Sequence, residues 1–541
     1  MRNVSRTVTR SALALALLAI ACGGPAPDTD PGADAAPSRG GTAVVGIGSD
    51  FDAFNEMVAT SALTDQVIGH VLFQNLIVYD EDLDYAPALA DSFWVAEDGL
   101  SATFRIREGV LWHDGTPFTV DDVLWSFETS MLDETAYPER ISLQYIDRAE
   151  RVDERTVRFH FTRVHAEPIA DFAYWSPMPK HLLEDVPPAQ MANADFNRNP
   201  VGNGPFRFVS WRPNESVVFE ANEDYFRGRP HLDRLVFRVI PEPATAITEL
   251  LSGGIDLYRN VPPSDMARIE SSGAARPLSY PTLGFELVMW KVTDPLFSDE
   301  RVRRAMTQAT DRQAIVDGLL QGYGEVANGP AAPAQWERDE GLDPWPYDPA
   351  AARELLAEAG WRDSDGDGVL DRDGRPFRFE MITNADNVAR SDVLVALQSQ
   401  LREVGVDMRP RAVEFNTMVD RWIGGDFQAV MAGWDLFLRF DPSQLFETGG
   451  AYNGGEYSNP RVDELMRRAS TTLDRAEAKP MWVEFQRILH REQPYTFLHF
   501  DHELWGVSRR LRGVEVTGAP NAYAPFASVA GWWIAPGDRA R

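Results

Sequence analysis

At 541 residues the chain exceeds what one hydrophobic core supports, so two or three domains are expected, and 44% apolar with 11% aromatic residues provide the material for them. A formal charge of −30 argues against nucleic acid or an anionic membrane surface as partner, because both repel an acidic protein. Its plainest role is solubility.

The N-terminus reads as an export signal. Arg2, Arg6 and Arg10 form a positive region ahead of a short apolar core at residues 11–20, which is too short to span a bilayer as a mature helix. The stretch ends in Leu18-Ala19-Ile20-Ala21-Cys22, which resembles a bacterial lipobox with Ala19 where leucine is commoner. Cys22 is the single cysteine, so disulfides are excluded, and its position directly after the apolar run makes it the expected lipidation site. Residues 1–22 are thus taken as a lipoprotein signal peptide. Residues 23–39, rich in Gly, Pro, Ala and Asp, read as a flexible tether.

Residues 40–49, GGTAVVGIGS, form a strand with a glycine-rich exit that lacks the GxGxxG spacing of a phosphate loop. Residues 67–79 read as a helix running into a strand. In residues 89–128, Asp98-Gly99 signals a hairpin turn between strands at 92–96 and 101–107, because glycine tolerates positive φ. Ala102, Phe104 and Ile106 alternate with Thr103, Arg105 and Arg107, as a sheet with one wet face requires. A second turn at Asp114-Gly115 precedes Thr119, which can cap a helix carrying Val120, Val123, Leu124 and Phe127 on one face. The order Asp98-Gly99, Thr103-Phe104, Arg107, Gly109-Val110, Trp112, Asp114-Gly115, Pro117, Thr119, Asp122-Val123, Ser126 resembles the signature region of family 5 extracellular solute-binding proteins of ABC importers, a group that includes dipeptide, oligopeptide and nickel binding proteins.

Further along, residues 199–211, NPVGNGPFRFVSW, match a second motif of that family, and their glycines and prolines fix a tight backbone. Ile255-Asp256-Leu257 after Gly253-Gly254 continues the match, as do residues 297–322, which read as two helices with Asp311 capping the second. Asp348-Pro349 starts a helix that Gly360 stops. Helices at 388–404 and 415–424 alternate with strands at 406–411 and 427–432, which implies a mostly parallel sheet. Asn459-Pro460 opens another helix. Pro480 is expected to kink or divide the helical run that contains it.

The resemblance implies an α/β, two-lobed, periplasmic-binding-protein-like fold with an extra inserted domain, mixed sheets flanked by helices, and a hinge between lobes. It places lobe I at residues 40–72, 198–285 and 502–541, the inserted domain at 73–197 and lobe II at 286–501. It also makes Ser49 and Asp50 neighbours of the ligand, because the first strand ends at the cleft in that family.

No GxSxG elbow, GxxxxGK[ST] loop or HExxH pair occurs, so the chain reads as a binding protein and not an enzyme. His499 and His502 lie in an aromatic, strand-like stretch where their side chains project to opposite faces, so core or cleft lining is expected of His499 and Phe500 instead of a metal pair. Asp363, Asp365, Asp367, Gly368 and Asp371 match positions 1, 3, 5, 6 and 9 of a calcium loop, but Gly374 stands where the bidentate acid belongs; any ion there would be structural calcium, and no other cofactor is expected. Residues 431–446 resemble the family's "G-W-x-x-D-x-x-D-P" segment, in which the tryptophan lines the pocket and the aspartate pairs with a peptide α-amine. Trp434 and Asp441-Pro442 match it. Phe437 stands at the aspartate's spacing; Asp435 could be displaced into the role, although one place along a strand its side chain should point the other way. Trp434, Asp435 and Phe437 are all candidates for the cleft, the aromatics for stacking on peptide side chains or sugar rings.

The expected protein is an extracytoplasmic lipoprotein facing the periplasm or exterior, monomeric, touching the membrane only through its lipid. It would capture peptides in an interlobe cleft for ABC permease subunits, with oligosaccharides or a nickel complex as alternatives and a lipid-anchored hydrolase as a reading from another class.

Overall fold

The computed structural model describes residues 36–435 and 438–539. The signal, Cys22 and most of the tether, together with Phe437, lie outside the described residues. Two long strands, Ala275–Trp290 and Tyr495–Ser508, run antiparallel at the centre of a mixed eleven-stranded sheet. Outward from Tyr495–Ser508 follow Leu257–Arg259, Thr42–Ile47, Arg234–Val239, Ser216–Ala221 and Phe206–Arg212. From the other long strand follow Ala429–Asp435, Arg378–Asn384 and Asp407–Val413, while Gly324–Val326 adds to Tyr495–Ser508 off this path.

The pairing of the long strands changes partners midway. Ala275 to Pro281 pair with Ser508 to His502; the register then shifts, and Phe285 resumes opposite Phe500. Beyond the shift, Gly284 to Trp290 also pair with Asp435 to Ala429. The three strands from the second half of the chain are mutually parallel, as helix–strand alternation implied, and become part of a mixed sheet only where they meet the antiparallel long pair.

Residues 89–128 fold as their pattern requires. Ala90–Val95 and Ser101–Ile106 pair antiparallel, Gly99 adopts φ +67 in the turn, and Ala102, Phe104 and Ile106 are buried. With Thr156–Phe161 and Ile146–Asp153 they make a separate four-stranded antiparallel sheet. Thr119 and Asp122 form a reciprocal capping box at the start of helix Val120–Ser130, satisfying backbone N–H groups that have no intrahelical partner. Asp299, Asp311, Asp348 and Asn459 each cap a helix by accepting backbone N–H bonds of its first turn through their side chains. Arg475–Glu492 runs through Pro480 as one helix, contrary to the expected division. Pro480 lies near the helix start and removes a single hydrogen bond, whereas Trp482, Phe485 and Leu489 beyond it are buried in the core and hold the remaining turns in line.

The glycine-proline motif at residues 199–211 has a structural task. Asn203 and Gly204 donate to the Leu72 carbonyl at 3.1 and 2.8 Å, closing the end of helix Ala62–Val71. His113, from the signature region, donates to Gly204 O at 3.0 Å through Nε2 and accepts from Gly202 N at 3.2 Å through Nδ1, which demands a neutral ring. Burial supplies that condition by pushing its pKa down to about 4. Asp256, fully buried, accepts from Val44 N at 2.9 Å and from Arg510 Nε and Nη2 at 2.5 and 2.6 Å, tying three distant segments together.

A methyl group at Gly202 would collide with the Leu72 carbonyl, a backbone atom that cannot turn aside, whereas one at Gly537 meets nothing within 4 Å. Gly202→Ala is therefore expected to cost about 2–3 kcal/mol and lower Tm by several degrees in thermal denaturation, with Gly537→Ala unchanged. Equal melting of the two variants would refute the role given to the motif.

Candidate functional site

The shift between Pro281 and Phe285 opens the long strands at one point, and Thr282 Oγ1 fills the gap by donating to Asp501 O at 3.2 Å. Above this point lies a cavity of about 600 Å³. Its floor is the shifted stretch with Glu286 and Asp501; one wall comes from Gly433, Trp434, Asp435 and Arg439, and the facing wall from the residues around helix Ala62–Val71 and from the segment that carries the four-stranded sheet.

Three arginines reach this cavity, and each is matched by one carboxylate. Arg259 holds Glu503 through two bonds of 2.8 and 2.6 Å. Arg390 holds Glu286 through Nε at 2.9 Å and Nη2 at 2.7 Å, and Arg439 donates to Asp171 at 2.9 Å. These forks are short and partly or wholly desolvated, so they act as rigid struts more than as net sources of stability. Burial works against the Arg259 and Arg390 charges, but their carboxylates outweigh it and hold both above the usual arginine range.

Asp435 lines the cavity beside Trp434, although neighbours on a strand ordinarily face apart. It is the last residue of its strand and sits opposite Gly284, where a side chain would meet its carboxylate. Burial and the Asp501 charge raise its pKa, with Arg390 and Arg259 opposing. Trp434 packs on Tyr452 and Trp422 at ring separations of 4.7 and 5.9 Å, so its ring is held in place while it lines the cavity.

Other expected ligand neighbours lie elsewhere. Asp50 accepts from Trp211 Nε1 at 3.1 Å and from the backbone of Asn214 at 2.6 Å, so its carboxylate fastens a loop and does not line the cavity. Ser49 is exposed at the mouth of a smaller hollow of about 180 Å³ beside Arg259 and Trp505. Phe500 is fully buried against Phe285, and Arg338 lies over its ring at 5.6 Å. His499, also buried, reaches the site only through Asp501, its Nδ1 lying 2.9 Å from Oδ1; that carboxylate keeps the imidazole pKa raised against the opposing effect of burial. His502 points away to Ser279 at 3.0 Å.

Asp363, Asp365 and Asp367 bring carboxylate oxygens within 4.8 Å of one another on the surface, while Asp371 is engaged by Ser364. Asp363 also accepts from Gly366 N and Gly368 N at 2.7 and 3.1 Å, as a turn-forming aspartate does.

Sequence reading missed Glu286, Arg390, Arg259, Glu503, Asp171 and Arg439. One signal was available for Glu286, a lone carboxylate inside the apolar run at residues 283–290. The others come together only through the fold.

The description of bacterial extracellular solute-binding proteins, family 5, matches residues 84–456. The oligopeptide-binding protein AppA of Bacillus subtilis (strain 168) is 32% identical over 515 residues, covering 92% of this chain and 92% of its own. The structure of AppA from Bacillus subtilis in complex with a nonapeptide superposes with a TM-score of 0.72 at 31% identity, over 92% of this chain and 100% of that one. NikZ from Campylobacter jejuni in complex with Ni(L-His) does so with a TM-score of 0.73 at 25% identity, over 91% and 99%. The chain belongs to the bacterial extracellular solute-binding proteins of family 5, and it is a non-enzymatic solute receptor of the ABC transporter type with their two-lobed fold.

Proposed function

We propose that the chain is a lipid-anchored extracytoplasmic receptor that encloses a peptide in the cavity between its lobes and hands it to an ABC permease. The observation that carries this reading is the cavity itself. Its volume of about 600 Å³ falls within the range of roughly 300–1,000 Å³ typical of ligand sites, and it joins an aromatic wall at Trp434 to converging carboxylates. The similarity to AppA, solved with a nonapeptide, favours peptides over a nickel complex or an oligosaccharide.

Lobe I is assigned to residues 40–72, 198–285 and 502–541, the inserted domain to 73–197 and lobe II to 286–501. The hinge is placed at the shift between Pro281 and Phe285, where the two long strands pass from one lobe to the other with their pairing interrupted. Contacts across the cleft are those expected of a closed form: Arg439 with Asp171, Arg475 with Glu167 at 2.6 Å, and Ala166 N with Ser470 O at 2.6 Å. A ligand favours this form by its difference in affinity for the closed and open states. Among the described residues no helix is long and apolar enough to cross a membrane; the proposed attachment is the Cys22 lipid, on the strength of the apolar run and lipobox-like residues 18–22.

Asp435 is assigned the α-amine of the peptide. The wall arginines are taken by other carboxylates, so Asp435, exposed on the cavity wall and covered once a peptide fills the cavity, would lose its partner if that amine were blocked. N-acetylation of a bound peptide is expected to cost about 3 kcal/mol, over a hundredfold in affinity by calorimetry, and Asp435→Asn should erase the difference. Equal affinities for the two peptides in the unaltered protein would reject the assignment.

Saturation with a binding peptide should reduce the radius of gyration in small-angle scattering; an unchanged radius at saturation counts against the hinge. Cys22→Ser should move the protein from the membrane to the soluble fraction with the same Tm, since the tether contributes nothing to the core. Retention on membranes would rule out the lipid anchor.

A further inference from the structure

The carboxylates on the cavity wall outnumber its arginines, and the surplus is not evenly spread. With Glu286, Asp171 and Glu503 paired, one group of acids stands on the wall formed by residues 56–65 and the facing residues 137–139. It consists of Glu56, Asp65 and Glu139. The charged groups acting on Glu56 are Asp65 and Glu139, and those acting on Asp65 are Glu139 and Asp52, all of them acids.

Glu56 is the decisive member. It is only 4% exposed, yet it lines the cavity; Tyr137 donates to Oε1 at 3.0 Å, and among the described residues Oε2 has no hydrogen-bond partner. A buried carboxylate oxygen left without a donor costs free energy unless a cation or donor reaches it. Local needs do not account for the cluster. The loop before helix Ala62–Val71 is closed by Asp52, which accepts from Thr60 N at 2.7 Å and Ser61 N at 3.0 Å, so Asp65 is not required as a cap. Burial, reinforced by Glu139 and Asp52, pushes Asp65 up to about 7, the state of an acid that lacks a cation.

The spacing restricts what the cation can be. Among the described residues, only Asp363, Asp365 and Asp367 bring three ligating atoms close enough for one metal ion. Glu56, Asp65 and Glu139 stand too far apart for a shared metal. An ammonium or a guanidinium, whose several N–H donors spread over a larger volume, matches a broad acidic wall.

We propose that Glu56, Asp65 and Glu139 form a subsite for a basic side chain of the ligand, so that this receptor selects peptides bearing lysine or arginine. The proposal rests on the peptide reading of the cavity and adds a second cationic position to the one assigned to Asp435.

The test uses the soluble protein from residue 38 onward, a single compact unit, stripped of bound ligand and exposed to a random mixture of peptides three to six residues long. Bound peptides are identified by mass spectrometry. Lysine- and arginine-bearing peptides should be enriched at least tenfold over the input. Glu56→Gln keeps the acceptor for Tyr137, and Asp65→Asn alters a half-buried helix position; in each the enrichment of basic peptides among those bound should fall below about twofold. Peptides bound without basic enrichment, or enrichment unchanged in both variants, would overturn the subsite and leave the peptide reading standing. Absence of any bound peptide would overturn the peptide reading and the subsite together.

Discussion

Two strands, Ala275–Trp290 and Tyr495–Ser508, hydrogen-bond to both sides of the main sheet, and the other strands take their places from them. A strand paired along its whole length on both edges cannot bend without breaking its ladder. Here the ladder is already broken at one point, between Pro281 and Phe285. The interruption lies beside the cavity, and the residues it frees, Thr282 and Leu283, line that cavity. A local fault in pairing thus opens the sheet beside the cavity, which agrees with the placing of bulges at functional sites elsewhere.

Around this point the protein arranges charge in two ways. Arginines and carboxylates near the register shift are neutralised as forks, Arg390 with Glu286 and Arg259 with Glu503, which hold the strands beside it in fixed geometry. Farther along the cavity, the buried Glu56 and the half-buried Asp65 have no such arginine partners. The first arrangement is self-sufficient. The second is complete only with a cation, so specificity resides in the unpaired groups and rigidity in the paired ones.

Much of the architecture was legible in the residues. The hairpin at Asp98-Gly99, the Thr119 cap, and the Asp311, Asp348 and Asn459 helix starts are local events, decided by φ preferences and by side chains bonding within three residues. The family resemblance rested on these same local fixtures. Pro480 misled because its cost is local and single, while the helix around it is held by tertiary packing of Trp482 and Phe485.

The site was far less legible. Asp50, placed near the ligand by the end of its strand, fastens Trp211 instead, and of the two places open to Phe500, core or cleft lining, the core is the one it fills. Strand alternation turns Asp435, a cleft candidate, away from the place beside Trp434, but that rule lapses at a strand's last residue, where the neighbour across the ladder is Gly284. What the sequence determined by itself was the set of local turns, caps and alternating faces, because their energetics span a few residues. Only the tertiary structure decided which carboxylates are neutralised and which are left facing the cavity. Glu56 and Glu139 are 83 positions from each other, Glu286 and Arg390 104 apart, and no local rule says which acid a distant arginine will reach.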